Sequence, residues 1–364
     1  MSHDSPSAKD ESAGQDDSTR SAVSSNSPRS ADDALPPVEP PNAAFIVQLF
    51  VVPALIVVAI VGIWTMFHWL AHVGGNDPTQ YIDTMRRETP ARWQAAVSLA
   101  NSLRAEGSEN RDNAELARQL ANLLEDEIDD ASLEDNDVKL RVYLAKCLGE
   151  FTVPDGAEVL LKASTTQRDD DELEVRWAAV CSLAVLADSC PNLQQSAPAV
   201  VPTLIKLSGD GEPVVRSAAA FALGVVGDES SLERLVFLLG DAYPDVRYNA
   251  ATGLCRHGAR GDGVISAELA GVLAEMLDPD ETAGIDVEED VAATRDAKRW
   301  LIVNNGLRAV EQLTSARPDL DVTPLDGALE RLEQDDVPRV VRNAAASLRI
   351  SRKEQTEAPV PDAG

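Results

Sequence analysis

The sequence predicts an all-α protein: an α-α superhelical solenoid over 90–351, behind a single transmembrane helix at 44–71 and a disordered acidic tail at 1–43. Three observations carry the prediction. An arginine opens a helical pattern that recurs through most of the chain. One long apolar run is free of charge. Aromatic residues make up only 4% of the 364 residues, while apolar ones reach 44%. A core so poor in rings must be built from Ala, Leu and Val, which suits helices packed through small side chains better than a β-sandwich.

The elements follow in order. Residues 1–43 hold eight acids and three bases among Ser, Ala, Asp and Pro, with no apolar periodicity. Such a segment cannot recover its ordering entropy. From Glu39 to Asp77 no Asp, Glu, Lys or Arg intervenes. About 20 apolar residues suffice to cross a hydrocarbon core, so 44–71 is long enough. Pro53 is tolerable in a membrane span, and Trp64, Trp69, His68 and His72 gather at one end as an interfacial belt would. The run is too long, and starts too late, for a cleaved signal peptide. Residues 72–89 read as a juxtamembrane linker. Arg86, Arg87 and Arg92 on the C-terminal flank outnumber Arg29 on the other side, which leans toward a cytoplasmic repeat domain.

Beyond the linker, helical segments alternate with short polar turns, and aligning them on an arginine exposes the period. Arg92, Arg141, Arg176, Arg216, Arg247, Arg299 and Arg342 lie 49, 35, 40, 31, 52 and 43 residues apart. That length is a signature of helical solenoids. Seven residues after the arginine, the five clearer copies place Leu99, Leu148, Leu183, Leu223 and Leu254. Small residues such as Ala219 and Ala220 stand at the third and fourth positions, which completes one helical stripe. A second amphipathic segment follows each, as in 196–210, 229–241 and 264–278. One pair is too small to bury its own apolar faces, so six or seven pairs must stack. Gly224 and Ala184, eight residues after their arginines, would allow close helix approach. Asp210 and Asp241 open turns, with Pro213 and Pro244 placed for a helix's first turn. Residues 352–364 read as a disordered C-terminal tail.

The copies DGEPVVRSAAAFALGVVGD (210–228) and DAYPDVRYNAATGLCRHG (241–258) resemble HEAT repeats, and are closest to the subtype also found in phycobilisome-lyase-like proteins. The resemblance covers about 90–350, strongly at 137–258 and loosely at both ends, and 259–300 departs from it. It implies a right-handed superhelix that binds other proteins along one face.

Arg176, Arg216 and Arg247 form the most regular row, either as a protein-contact ladder or as structural arginines paired with nearby acids. Asp278, Asp280, Thr282 and Glu289 imitate a calcium loop, but Pro279 and the late Gly284 spoil it. Cys147, Cys181 and Cys255 sit among apolar helix residues as inert thiols, whereas Cys190 beside Pro191 reads as accessible. A Cys181–Cys190 bridge is conceivable at that separation. His257 is the one histidine in the repeats, and RHG at 256–258 reads as a helix end capped by Gly258. No phosphate loop, nucleophile elbow, metal-ligand spacing or cofactor motif is present, so the expectation is no enzyme and no cofactor.

The net charge of −29 excludes nucleic acid as a partner and disfavours polybasic lipid association. It suggests instead a protein partner with a basic surface, bound in a salt-sensitive way. The function expected is a membrane-tethered HEAT-repeat scaffold or adaptor. The lyase-like subtype raises a bilin or tetrapyrrole lyase-like factor as the alternative, and the anchor raises a sensor or regulatory subunit of a membrane complex.

Overall fold

The computed structural model describes residues 43–73, 78–168, 171–259, 263–281 and 292–357. The tail expected before Ala43 and the chain after Glu357 lie outside them. The chain divides into two compact units, Met1–Gly74 and Gly75–Gly364.

The first unit contributes α1 (Ala43–Val73), 31 residues long with Pro53 inside it. Its side chains from Val51 to Met66 are all exposed. At 1.5 Å per residue that stretch covers about 24 Å, against roughly 30 Å of hydrocarbon. Among the described residues no helix is long and apolar enough to cross a membrane. The span expected at 44–71 thus has its helix, without a described apolar run of the required length.

The second unit begins inside the segment expected to be a linker. There α2 (Pro78–Met85) buries Ile82 and Met85 and packs on α3 (Arg92–Arg104). Two buried side chains in eight residues are too few for periodicity to reveal, so this helix owes its existence to tertiary packing. Next come α4 (Ala114–Asp130), α5 (Asp135–Gly149) and α6 (Ala157–Thr165), then α7 (Asp171–Ser189), the short α8 (Leu193–Ser196) and α9 (Val200–Leu207). The chain continues through α10 (Pro213–Val226), α11 (Glu229–Leu238), α12 (Pro244–Arg256) and α13 (Ala267–Leu277). It closes with α14 (Ala292–Ala316), α15 (Asp326–Arg331) and α16 (Arg339–Glu357). The last helix runs past 352, where the C-terminal tail was expected to begin.

These helices stack in two rows. Row A is α3, α5, α7, α10, α12, α14 and α16, each packed on the next; row B is α4, α6, α9, α11, α13 and α15 behind it. The result is an all-helical repeat solenoid. Its one strand-like contact among the described residues is a bridge, where Ile265 N donates to Asp321 O and Asp321 N to Gly263 O.

The stripe in the sequence is the core. Leu99, Leu148, Leu183, Leu223 and Leu254 are each at most 2% exposed, and burying a leucine side chain is worth about 1.5–3 kcal/mol. Small residues between them let row A close up. A Cβ on Gly224 would stand 2.7 Å from the Cα of Gly253, so α10 and α12 touch backbone to backbone. The ends are fixed locally. Asn113, Asp228 and Ser266 accept N-cap hydrogen bonds at α4, α11 and α13, and Pro213 and Pro244 occupy the first turns of α10 and α12.

Candidate functional site

The recurring arginines fill the seam between repeats. Arg176 pairs with Asp210, which opens the turn before α10, and also donates to Ser164 O. Arg216 grips Asp241 with two bonds of 3.0 and 3.1 Å and donates to Asp210 O at 2.9 Å. Arg247 pairs with Glu275 on α13 and donates to Asp241 O at 2.9 Å. Arg141 is wholly buried and reaches Glu172 at 3.2 Å and Ser132 O at 2.7 Å. A planar fork of donors suits this double duty, one arm holding the next repeat's carboxylate and another the carbonyls of its own turn. At Asp241, burial pushes the carboxyl up, but the hydrogen bonds from Arg216 and from Tyr243 N outweigh it and hold the group below its ordinary value.

A different set of side chains follows the arginines along row A. The residue after the arginine is a ring on α3 (Trp93), α7 (Trp177), α12 (Tyr248) and α14 (Trp300); it is Val142 on α5, Ser217 on α10 and Asn343 on α16. Trp177 is exposed, whereas Tyr248 is buried and its hydroxyl donates to Glu275 Oε1 at 2.8 Å. Toward the N-terminus Trp93 stacks on Tyr143 of α5, with ring centres 6.2 Å apart. Toward the C-terminus the face opens into two cavities. One of about 470 Å³ is walled by Trp177, Val214, Ser217, Tyr243, Asp245 and Lys298. The other, of about 570 Å³, runs along Ser217, Phe221, Tyr248 and Asn249 to Leu301 and Arg308. A cavity touched by both Trp177 on α7 and Lys298 on α14, with α10 and α12 between, requires the row to bend around it. The row A face is therefore concave here.

Its lining is apolar but not bare. Trp177, Val214, Phe221, Tyr243 and Leu301 are 40–59% exposed, a density of large exposed apolar groups that marks interaction sites. Arg256, Lys298 and Arg308 also line the cavities, and Asp245 is their one carboxylate. Whole-chain acidity pointed to a basic partner; the lining of this face has the opposite sign. The sequence held one clue, the Arg-Trp pair at 92–93 and 176–177. The cations are not legible in the sequence, because they are spread over two helices and outnumbered by acids elsewhere.

Cys190 is 1% exposed, because the turn it opens folds back on the core and its Sγ meets Asn192 Oδ1; the expected accessibility is corrected. All four cysteines are free. Burial pushes the Cys255 thiol up to about 12 and Cys181, mainly for the same reason, to about 11. His257 Nε2 lies 2.9 Å from Gly224 O, and since a carbonyl only accepts, that nitrogen carries the proton. Its ring occupies the space a Cβ at Gly227 would need, and Gly227 has φ +65°, so α10 must end in glycine there. Thr282 and Glu289 of the imitated calcium loop lie outside the described residues. Among the described residues no group of three or more His, Cys, Asp or Glu side chains is placed to hold a metal.

The family comparison agrees with this architecture. Residues 169–255 and 201–283 match HEAT repeats. No curated protein gives a significant match. Among solved structures, an engineered protein aligns at 18% identity over 66% of this chain and all of its own, with a TM-score of 0.39. A designed armadillo repeat protein aligns at 17% over 70% of this chain and 98% of its own, TM-score 0.31. Human deoxyhypusine hydroxylase in complex with glycerol aligns at 17% over 78% and 98%, TM-score 0.28.

Proposed function

We propose that this HEAT-repeat solenoid is a scaffold that holds a protein partner on its concave row A face and is tethered to a membrane by α1. Repeat solenoids of this kind generally bind other proteins along an extended concave surface. The observation that carries the reading is the exposed apolar strip Trp177, Val214, Phe221, Tyr243 and Leu301 around the two cavities. The ladder arginines Arg176, Arg216 and Arg247 are structural in this reading. Their guanidinium groups are spent on neighbouring repeats, and they set the curvature of the face rather than touch what binds it.

The tether rests on α1, an unbroken helix of 31 residues without a charged side chain, whose described side chains are exposed and nearly all apolar. Such a surface is unfavourable in water and favourable in lipid. Arg86, Arg87 and Arg92 just beyond it, against Arg29 on the other flank, favour a cytoplasmic repeat domain in this reading. Extraction of native membranes at alkaline pH should leave the full chain in the pellet and release a chain lacking 44–71. Recovery of both in the supernatant would remove the tether. Crosslinking in native membranes, comparing the full chain with one truncated after residue 90, tests the scaffold. A discrete partner set that depends on the repeats is expected. The same background from both chains would end the docking reading.

A further inference from the structure

The concave face has one vacancy. On α7 and α12 the residue after the ladder arginine is a ring, Trp177 or Tyr248; on α10, between them, it is Ser217. Both cavities meet at Ser217, Asp245 and Lys298. The serine hydroxyl is already satisfied, accepting from Asn249 Nδ2 at 2.9 Å and donating to Asp245 O at 3.4 Å. It makes no demand for a polar ligand. The space beside it is bounded by Trp177, Phe221 and Leu301, each at least 40% exposed. Its size and lining suit one large apolar side chain.

The charge around this vacancy is not that of the molecule. The chain carries 61 acidic and 32 basic residues, and most described arginines are engaged with carboxylates. Arg256, Lys298 and Arg308 have no ion-pair partner among the described residues, and all three line the second cavity opposite a single carboxylate, Asp245. Cations without a carboxylate partner among the described residues, concentrated in one concave place, raise the local potential and select an anionic ligand.

We infer that this groove binds an acidic segment of a partner protein, which seats one aromatic or large aliphatic side chain beside Ser217 and sets carboxylates against Arg256, Lys298 and Arg308. The inference rests on the docking reading and specifies its occupant. A nucleic acid could meet the same cations, but the acidic remainder of the chain repels a long polyanion. An apolar anchor also explains the vacancy, which phosphate contacts do not.

The test uses the full chain in detergent micelles and fluorescence anisotropy with synthetic probes. These are a Glu/Asp-rich peptide with a central Trp, the same peptide with central Ala, the same peptide with Lys replacing its acids, and a short single-stranded oligonucleotide. The acidic Trp peptide should bind tightest. Central Ala should cost about 30-fold, the scale of a lost aromatic anchor. Lys298→Glu with Arg308→Glu, both on a helix surface, should weaken the acidic peptide about 10-fold or more and flatten its salt dependence. Ser217→Trp should close the vacancy, so that the Trp and Ala peptides bind alike with unchanged helical circular dichroism. Equal or tighter binding of the Lys peptide overturns the inference. So does indifference to the double charge reversal, tighter binding of the oligonucleotide, or no binding by any peptide. If the peptides fail while the crosslinked partner set still depends on the repeats, the scaffold stands and only this occupant is wrong. If that partner set is lost too, the docking reading itself is wrong.

Discussion

The repeats from α7 to α12 and those from α14 to α16 begin with the same arginine and use it in opposite directions. In the first region each arginine reaches forward, 25 to 34 residues on, to a carboxylate of the following repeat. In the second, Arg299 reaches only backward, to the carbonyls of Glu275 and Met276, and its buried Nε and Nη1 have no partner among the described residues. Arg342 pairs with Asp335, seven residues earlier in its own repeat and fully exposed. Among the described residues the carboxylate ladder ends at Glu275 on α13, before the acidic sequence 278–290 that leads toward α14. Repeats of a solenoid are held mainly by their neighbours, so a missing link is a local loss of coupling. It leaves a middle keyed repeat to repeat, which builds one wall of the concave groove, and a C-terminal end, beginning with the α14 wall, less strictly keyed to it.

The sharpest way to break this contrast is at a buried rung. Arg176 and Asp210 are both under a tenth exposed at the side chain. Removing one partner strands the other charge in the seam, which costs about 3–5 kcal/mol. Arg176→Ala should lower the urea midpoint by that scale, and hydrogen exchange should speed up across α7 and α10 before it does in α16. Uniform acceleration along the unit would deny the middle any special rigidity.

A second, smaller effect lies in the close approach of α10 and α12. Gly224→Ala places a methyl against Gly253 backbone, which cannot yield as a side-chain tip can. Separation of the two helices should cost about 1–3 kcal/mol. Gly306→Ala on α14 meets side chains, Met276 at 3.1 Å and Leu277 at 3.2 Å, and should cost less. The midpoints of the two variants, measured side by side, check the order. Equal losses would mean that the C-terminal seam is packed as tightly as the middle.

Much of the middle was legible in the sequence, and the reasons are physical. The arginine period and the leucine seven residues on are properties of one helix at a time, so spacing reveals them. Gly224 was visible as a contact point because glycine inside an apolar helix has few other uses. Its partner Gly253 was not, since the pairing depends on how two repeats dock. The rung acids were hidden for the same reason: Asp241 and Glu275 are ordinary carboxylates until the next repeat is in place. Cys190 misled because proline beside it signals a turn, and a turn can still be buried. The concave groove was the least legible feature. Ser217, Asn249 and Lys298 lie on three helices, and a chain-wide charge of −29 hid a local excess of cations.

Acid offers a gentler probe of the ladder. The folded-state carboxyl of Asp241 lies below its ordinary value, so its contribution is complete above about pH 4 and is lost as pH falls through the depressed value. Asp241→Asn lacks that contribution at every pH. The variant should trail the wild type by about 1–2 kcal/mol near neutrality, and the gap should narrow below pH 4. Urea midpoints at pH 7 and at pH 3 measure it. A gap that stays constant would assign the loss to packing rather than to the ion pair with Arg216.

The smallest effect is expected at the far end, and its smallness is what it tests. Arg342 donates to Asp335 at 2.6 Å, but that carboxylate is fully in water, where attraction is offset by solvation and by the entropy of holding two long side chains. Arg342→Ala should leave the urea midpoint within error of the wild type and leave hydrogen exchange in α7–α12 unchanged. A clear loss would show that this exposed pair couples repeats as the buried rungs do. The ladder would then extend to the last repeat rather than end at Glu275.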